Sequence, residues 1–250
     1  MAYILYEVAD KIATITLNRP EAANAQNAEL LDELDAAWMR AAADPEVAVI
    51  VLRGEGKHFS AGHDLGTKVP DDLKITLELI YANESRRYLE YSLRWRNIPK
   101  PSIAAVQGRC IAGGLLLCWP CDLIVASEDA SFSDPVVLMG IGGVEYHGHT
   151  WELGPRKAKE ILFTGRPVTA LEAEQTGMVN KVVPRDRLDE ETRALATIAE
   201  RRTADAQTAG SVGFSEECVP RRWPRRELRG SRRVRRWHPG RPRHPWPGIH

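Results

Sequence analysis

Residues 100–126 read KPSIAAVQGRCIAGGLLLCWPCDLIVA, and the fold turns on them. Pro99 and Pro101 bracket Lys100 and hold the entry extended, because each ring fixes its own φ and steers the residue before it away from helix. Ser102 to Val106 is a short apolar run with the β-branched content of a buried strand. Gly108 and Ala112-Gly113-Gly114 break that run. Leu115 to Trp119 then restarts as an apolar helical turn, and Asp122 to Ala126 is a second buried strand. A strand, a glycine turn and a buried helix start leave backbone N–H groups pointing outward. Glycine there lets a ligand oxygen approach the main chain without meeting a Cβ. An oxyanion hole needs such donors. The same glycines also serve tight strand–helix packing, and from this segment alone both readings stand.

Working outward, Tyr3 to Val8 and Lys11 to Leu17 read as two strands of a hairpin turned at Ala9-Asp10. Asn27 is placed to cap a helix to about Ala42, with Leu30, Leu31, Leu34 and Trp38 on one face. Asp44-Pro45 stops it, and Val47 to Leu52 is a buried strand. A glycine-punctuated loop, GEGKHFSAGHDL (54–65), follows that strand, and Asp71 to Arg96 is a long amphipathic helix. Beyond the central segment come a short strand at Ser131 to Ser133, a glycine-rich loop GIGGVEYHGH (140–149), and a helix over Lys157 to Phe163. Thr169 to Glu172 has the form of a capping box opening a helix that Gly177 ends. Val179 to Val183 is a strand, and Asp186 to about Ala206 the final helix. This alternation is that of a layered α/β fold.

The chain of 250 residues can bury a sizeable core, and 43% apolar with 27% charged residues is a globular composition. No N-terminal signal pattern and no membrane-length apolar run is present. Four irregularly spaced cysteines do not form a disulfide framework, so a cytoplasmic location is expected. The balanced net charge conceals an asymmetry. Residues 211–250 hold eleven arginines against three glutamates, leaving the body at −8 and the tail at +8.

Five stretches together carry a resemblance: ITLNRPEAANAQN (15–27), VAVIVLRGEGKHFSAGHDL (47–65), KPSIAAVQGRCIAGGLLL (100–117), CDLIVASEDASF (121–132) and LFTGRPVTALEAEQTGMVNKVVP (162–184). In order and spacing the chain resembles the crotonase (enoyl-CoA hydratase/isomerase) superfamily over roughly residues 3–205. The resemblance implies the ββα superhelix of the ClpP/crotonase fold, in a core at 1–205, and assembly as a homotrimer or hexamer if the tail permits. It implies an acyl-CoA thioester as ligand, with coenzyme A entering only as part of the substrate and no permanently bound cofactor. The thioester oxygen would be held by the backbone N–H groups of His63 and Gly113. Ala23 and Ala25, with Ala61, His63, Asp64, Leu65 and Gly113, would cradle the coenzyme A moiety. Family members often place a basic residue where Glu21 stands, so this chain departs there.

It departs again at the chemistry. Hydratases of this superfamily use two glutamates as base and acid on one water. By the resemblance their positions are Leu116, three residues after Gly113, and Val136, after Pro135. Neither side chain can move a proton, so water addition by that route is expected to be closed. Isomerising members carry an acid one residue from the place of Glu145. Glu145 is therefore the candidate base for proton shuffling, with Asp134 in reserve, and a solvated loop residue is the other reading of Glu145. His147 and His149 lack a third ligand at metal-site spacing, so no metal is expected. Cys118-Trp-Pro-Cys121 falls at the end of an apolar helix rather than at a helix start, which makes core cysteines the better reading.

Residues 206–250 form an Arg/Pro/Trp-rich tail where the superfamily has helices. Its prolines exclude a long helix. A basic arm for nucleic acid, a disordered appendage, and a reading frame lost near residue 210 compete, and the last is favoured because the tail replaces expected helices. The functions expected are enoyl-CoA hydratase- or isomerase-like chemistry, or a non-catalytic acyl-CoA-binding or degenerate member. No membrane and no nucleic-acid partner is expected for the body.

Overall fold

The computed structural model describes residues 2–66, 76–140 and 145–208, with side chains to 203. The tail expectations, and the first residues of the helix expected over 71–96, lie outside the described residues.

The hairpin forms as read: β1 (Ile4–Ala9) pairs antiparallel with β2 (Ile12–Leu17). Its turn sits one residue later than expected, because Asp10 and Lys11 take the two left-handed positions, at φ 51° and 60°. Parallel strands β3 (Val49–Gly54), β4 (Ser102–Val106), β6 (Leu123–Ser127) and β9 (Lys181–Val183) extend the sheet in the order β1-β2-β3-β4-β6-β9. A second sheet, β5 (Arg109–Ile111), β7 (Ser131–Ser133) and β8 (Val168–Thr169), went unread in the sequence apart from β7. Strands of two or three residues carry too little periodicity to be seen.

Register puts Ile15, Leu52, Ala104 and Ile124 in one row on one face of the large sheet. They belong to the main core, with Leu30, Leu34 and Trp38 of helix α1 (Ala28–Ala43). The opposite face, Val51, Ile103, Ala105 and Val125, is buried with Leu188 and Ala196 of α7 (Leu188–Thr208). A parallel sheet covered on both sides explains why its strands read as continuous apolar runs.

Asn27 caps α1, its Oδ1 accepting from Leu30 N–H at 2.9 Å. The helix expected to end at Arg96 is three pieces: α2 (Leu77–Glu84), a π-helical turn (Ser85–Glu90) and α3 (Tyr91–Arg96). The short α4 (Leu115–Cys118) follows a 3-10 turn, Ala112–Gly114. The helix expected at Lys157 starts earlier, as α5 (His149–Thr164), and breaks at Gly154, φ 73°, ahead of Pro155. That glycine–proline pair masked its first turn. Thr169 caps α6 (Ala170–Gln175), yet only half a capping box forms, because Glu172 turns away to Arg166 and Lys157. The three described cysteines are buried, and burial pushes the Cys110 and Cys121 thiols well up, as inert core cysteines require. No helix among the described residues is long and apolar enough to cross a membrane.

Candidate active site

The loop after β3 and the turn before α4 meet. A Cβ at Gly62, φ 84°, would lie 2.5 Å from the Ile111 carbonyl oxygen and 3.1 Å from Gly113 N, so only glycine lets the two segments touch. Gln26 zips the loop from its other side: its N–H donates to Gly62 O at 2.8 Å and its carbonyl accepts from Asp64 N–H at 3.0 Å. In this parallel bridge His63 lies between the two bonded residues and turns its own N–H away from Gln26. Gly113 N–H lies in the first turn of its 3-10 segment, where no carbonyl of that turn can reach it. Ala112 beside it is held at φ 45°, a strained value for a residue with a Cβ. The close approach at Gly62 thus brings the loop that carries His63 against the turn that carries Gly113.

The His63 side chain is also in the site, which the sequence reading did not require. Its Nδ1 faces Gly113, 3.0 Å from where a Cβ there would be. Its Nε2 is 3.3 Å from Glu84 Oε2 and 4.0 Å from Glu145 Oε1. The ring stacks on Tyr88, centroids 3.9 Å apart, which fixes its plane. Glu84 closes α2 and Tyr88 sits in the π turn, a device that shifts helix register and often marks a functional site. Glu84 and Glu145 are largely covered, at 15% and 11% side-chain exposure, against 29% for His63. Burial pushes the Glu145 carboxyl up; His63 pulls it down, and Asp134 and Glu84 push it further up. Burial, then the negative charge of Glu84 and Glu145, holds the Tyr88 phenol protonated.

Gln26 completes the floor. The Ser60 hydroxyl donates to Asn24 O at 2.8 Å, so it can only accept from Gln26, whose Nε2 is 3.0 Å away. That fixes the amide with Oε1 toward Gly113. Gln26 is 3% exposed, and Oε1 has no partner among the described residues.

Asp134 is near enough to raise the Glu145 carboxyl but has another partner. It is buried against His149, Oδ2 to Nε2 2.9 Å, in a contact whose alignment falls short of a hydrogen bond. A cavity of about 10 Å³ lined by Leu115, Trp119 and Phe132 adjoins the pair. Glu145 is no solvated loop residue. Leu116 is buried in the core, and Val136 opens the 3-10 turn capped by Asp134. Ala23 and Ala61 join the two loops, Ala61 N–H donating to Ala23 O at 2.9 Å. The Ala25 carbonyl and the Asp64 carboxylate both receive Arg19, and Leu65 is 80% exposed. Arg19 thus brings a cation to the loop where Glu21 does not. Sequence reasoning missed Glu84, Tyr88 and Gln26. His63, Glu84 and Glu145 offer ligand atoms within 4.8 Å of one another, while His147 and His149 join no such group among the described residues.

The chain matches the family description "Enoyl-CoA hydratase/isomerase" over residues 7–212. It is similar to a crystal structure of a probable enoyl-CoA hydratase from Mycobacterium thermoresistibile, with 73% identity, a TM-score of 0.73, and coverage of 83% of this chain and 87% of that one. An enoyl-CoA hydratase/isomerase structure from Xanthobacter autotrophicus Py2 is 36% identical, with a TM-score of 0.69, covering 83% of this chain and 79% of its own. The 2,3-dehydroadipyl-CoA hydratase of Escherichia coli is 35% identical over 190 residues, 74% of this chain and 71% of that protein. Sequence motifs, sheet order and these likenesses agree: the chain is a crotonase-fold member of the enoyl-CoA hydratase/isomerase family.

Proposed function

We propose that the protein acts on an acyl-CoA thioester, holding its carbonyl oxygen on the His63 and Gly113 N–H groups while Glu145 moves a proton at the adjacent carbon. The observation supporting this reading is the close approach of the loop carrying His63 to the turn carrying Gly113, with the Glu145 carboxylate 4.0 Å from the His63 imidazole. Removing a proton next to a thioester leaves an enolate, whose charge falls on the oxygen. Two fixed donors there stabilise that charge far more than the neutral carbonyl. Glu145 then needs only to accept the proton and return it. Coenzyme A is part of the substrate, and no permanent cofactor enters this scheme. Leu116 and Val136 take no proton in it.

The test is deuterium exchange at the α-carbon of butyryl-CoA in heavy water. Wild type should exchange well above buffer, and Glu145→Gln should be slower by about 10²–10⁴-fold, the worth of one placed base. Exchange that survives the substitution undiminished removes Glu145 from this role.

A further inference from the structure

We propose that Glu84 is a second catalytic carboxylate, which with Glu145 and His63 holds a water molecule for addition to the double bond of an enoyl thioester. The proposal rests on the thioester reading above. The geometry comes from three atoms: His63 Nε2 is 3.3 Å from Glu84 Oε2 and 4.0 Å from Glu145 Oε1, and all three groups lie within 4.8 Å of one another. A point about 2.8 Å from each, a normal hydrogen-bond length, fits above that triangle. The donor set also suits water. The ionised Glu84 and the carbonyl oxygen of a protonated Glu145 carboxyl accept its two hydrogens, the imidazole Nε2–H donates to one lone pair, and the second lone pair is left to attack. On the Gly113 side of the same imidazole, the Gln26 amide oxygen is buried and unpartnered among the described residues.

In the step this arrangement supports, the water oxygen bonds to the β-carbon as Glu84 takes its proton. The π pair moves toward the thioester, whose oxygen carries the charge on the His63 and Gly113 N–H groups. Glu145, protonated at the start, delivers its proton to the α-carbon and regains one when Glu84 passes on the proton it took from water, the two groups lying within 4.8 Å. The enolate returns to the thioester, and the sum is enoyl thioester plus water giving a 3-hydroxyacyl thioester. Glu84 serves the oxygen and Glu145 the carbon. The two carboxylates thus come from α2 and the loop before α5, in place of positions 116 and 136.

The experiment incubates the full chain with crotonyl-CoA in ¹⁸O-water, and separately with butyryl-CoA in heavy water. Wild type should yield labelled 3-hydroxybutyryl-CoA. Glu84→Gln, which keeps shape and one acceptor, should lose hydration by about 10²–10⁴-fold while α-exchange falls far less. Glu145→Gln should lose both. Wild type that exchanges but does not hydrate, or Glu84→Gln that hydrates like wild type, overturns the role of Glu84 and leaves the thioester reading standing. Equal loss of both reactions in Glu84→Gln makes Glu84 structural and also overturns it. Wild type inactive in both reactions overturns the thioester reading together with this one.

Discussion

Glu145 has two opposed demands on it. Burial, with negative charge from Asp134 and Glu84, raises its carboxyl above the ordinary 4.5, so ionising it costs the folded state something. A carboxylic acid raised by folding binds its proton more tightly when folded. The penalty is therefore absent at low pH and complete once the pH passes the raised value. Glu145→Gln should accordingly melt higher than wild type at neutral pH and show no such advantage in acid, which thermal melts at the two pH values would check. The same sign sets the rate. α-Exchange should rise with pH through a limb above 4.5, and Glu84→Gln should move that limb down by removing a negative neighbour. A limb unmoved by Glu84→Gln would show that the two carboxylates do not feel each other. At this scale the sequence was partly legible. His63 and Gly113 were named through the family resemblance; the glycines alone spoke only for a close backbone approach, which Gly62 makes. Glu84 was not: it stands 21 residues from His63 on a helix rich in charge, and spacing does not say which of those charges turns inward. Nor did the motif reveal that the His63 ring, as well as its backbone, would line the site.

Among the elements, α1 fixes where Glu84 stands. Asp32 receives Arg87 as a two-pronged pair, Nε at 3.0 Å and Nη2 at 2.7 Å, and the Tyr91 hydroxyl at 2.8 Å. Three residues on, Asp35 accepts from the Trp95 indole at 2.9 Å and from Arg94. The two carboxylates share one face of α1 and together hold the π turn and α3 that follow Glu84. Asp32→Ala removes both prongs and the hydroxyl contact, a loss of about 1–2 kcal/mol, since hydrogen bonds to a charged group exceed the neutral kind. The expected outcome is a melting point lower by several degrees, together with a fall in hydration larger than the fall in α-exchange. Equal falls in both would mean that α2 is not positioned from α1. The large sheet and α1 were legible because apolar runs, an Asn cap and proline stops all point the same way. The π turn was not, since one extra residue in a helical turn leaves the polar–apolar pattern nearly intact. The capping box at Thr169 misled for a related reason: Arg166 and Lys157 compete for Glu172, and the sequence cannot rank them.

For the whole molecule, the family match over 7–212 ends where the composition turns basic. We propose a homotrimeric body, supported by large apolar side chains left open on one chain, among them Trp151 at 67%, Phe163 at 76% and Leu138 at 70% exposed. Light scattering should give three copies, with Trp151→Glu shifting the mass toward one copy; a monomeric wild type contradicts this. At the site itself we propose two backbone N–H groups that polarise a thioester. Infrared spectra of an acyl-CoA carrying a ¹³C label at its thioester carbonyl test it most directly. Bound to wild type, the labelled stretch should fall to lower frequency than in buffer, and Gly113→Pro, which removes one donor, should undo most of that shift. A bound thioester whose carbonyl vibrates as it does in buffer would show that the two N–H groups do not polarise it.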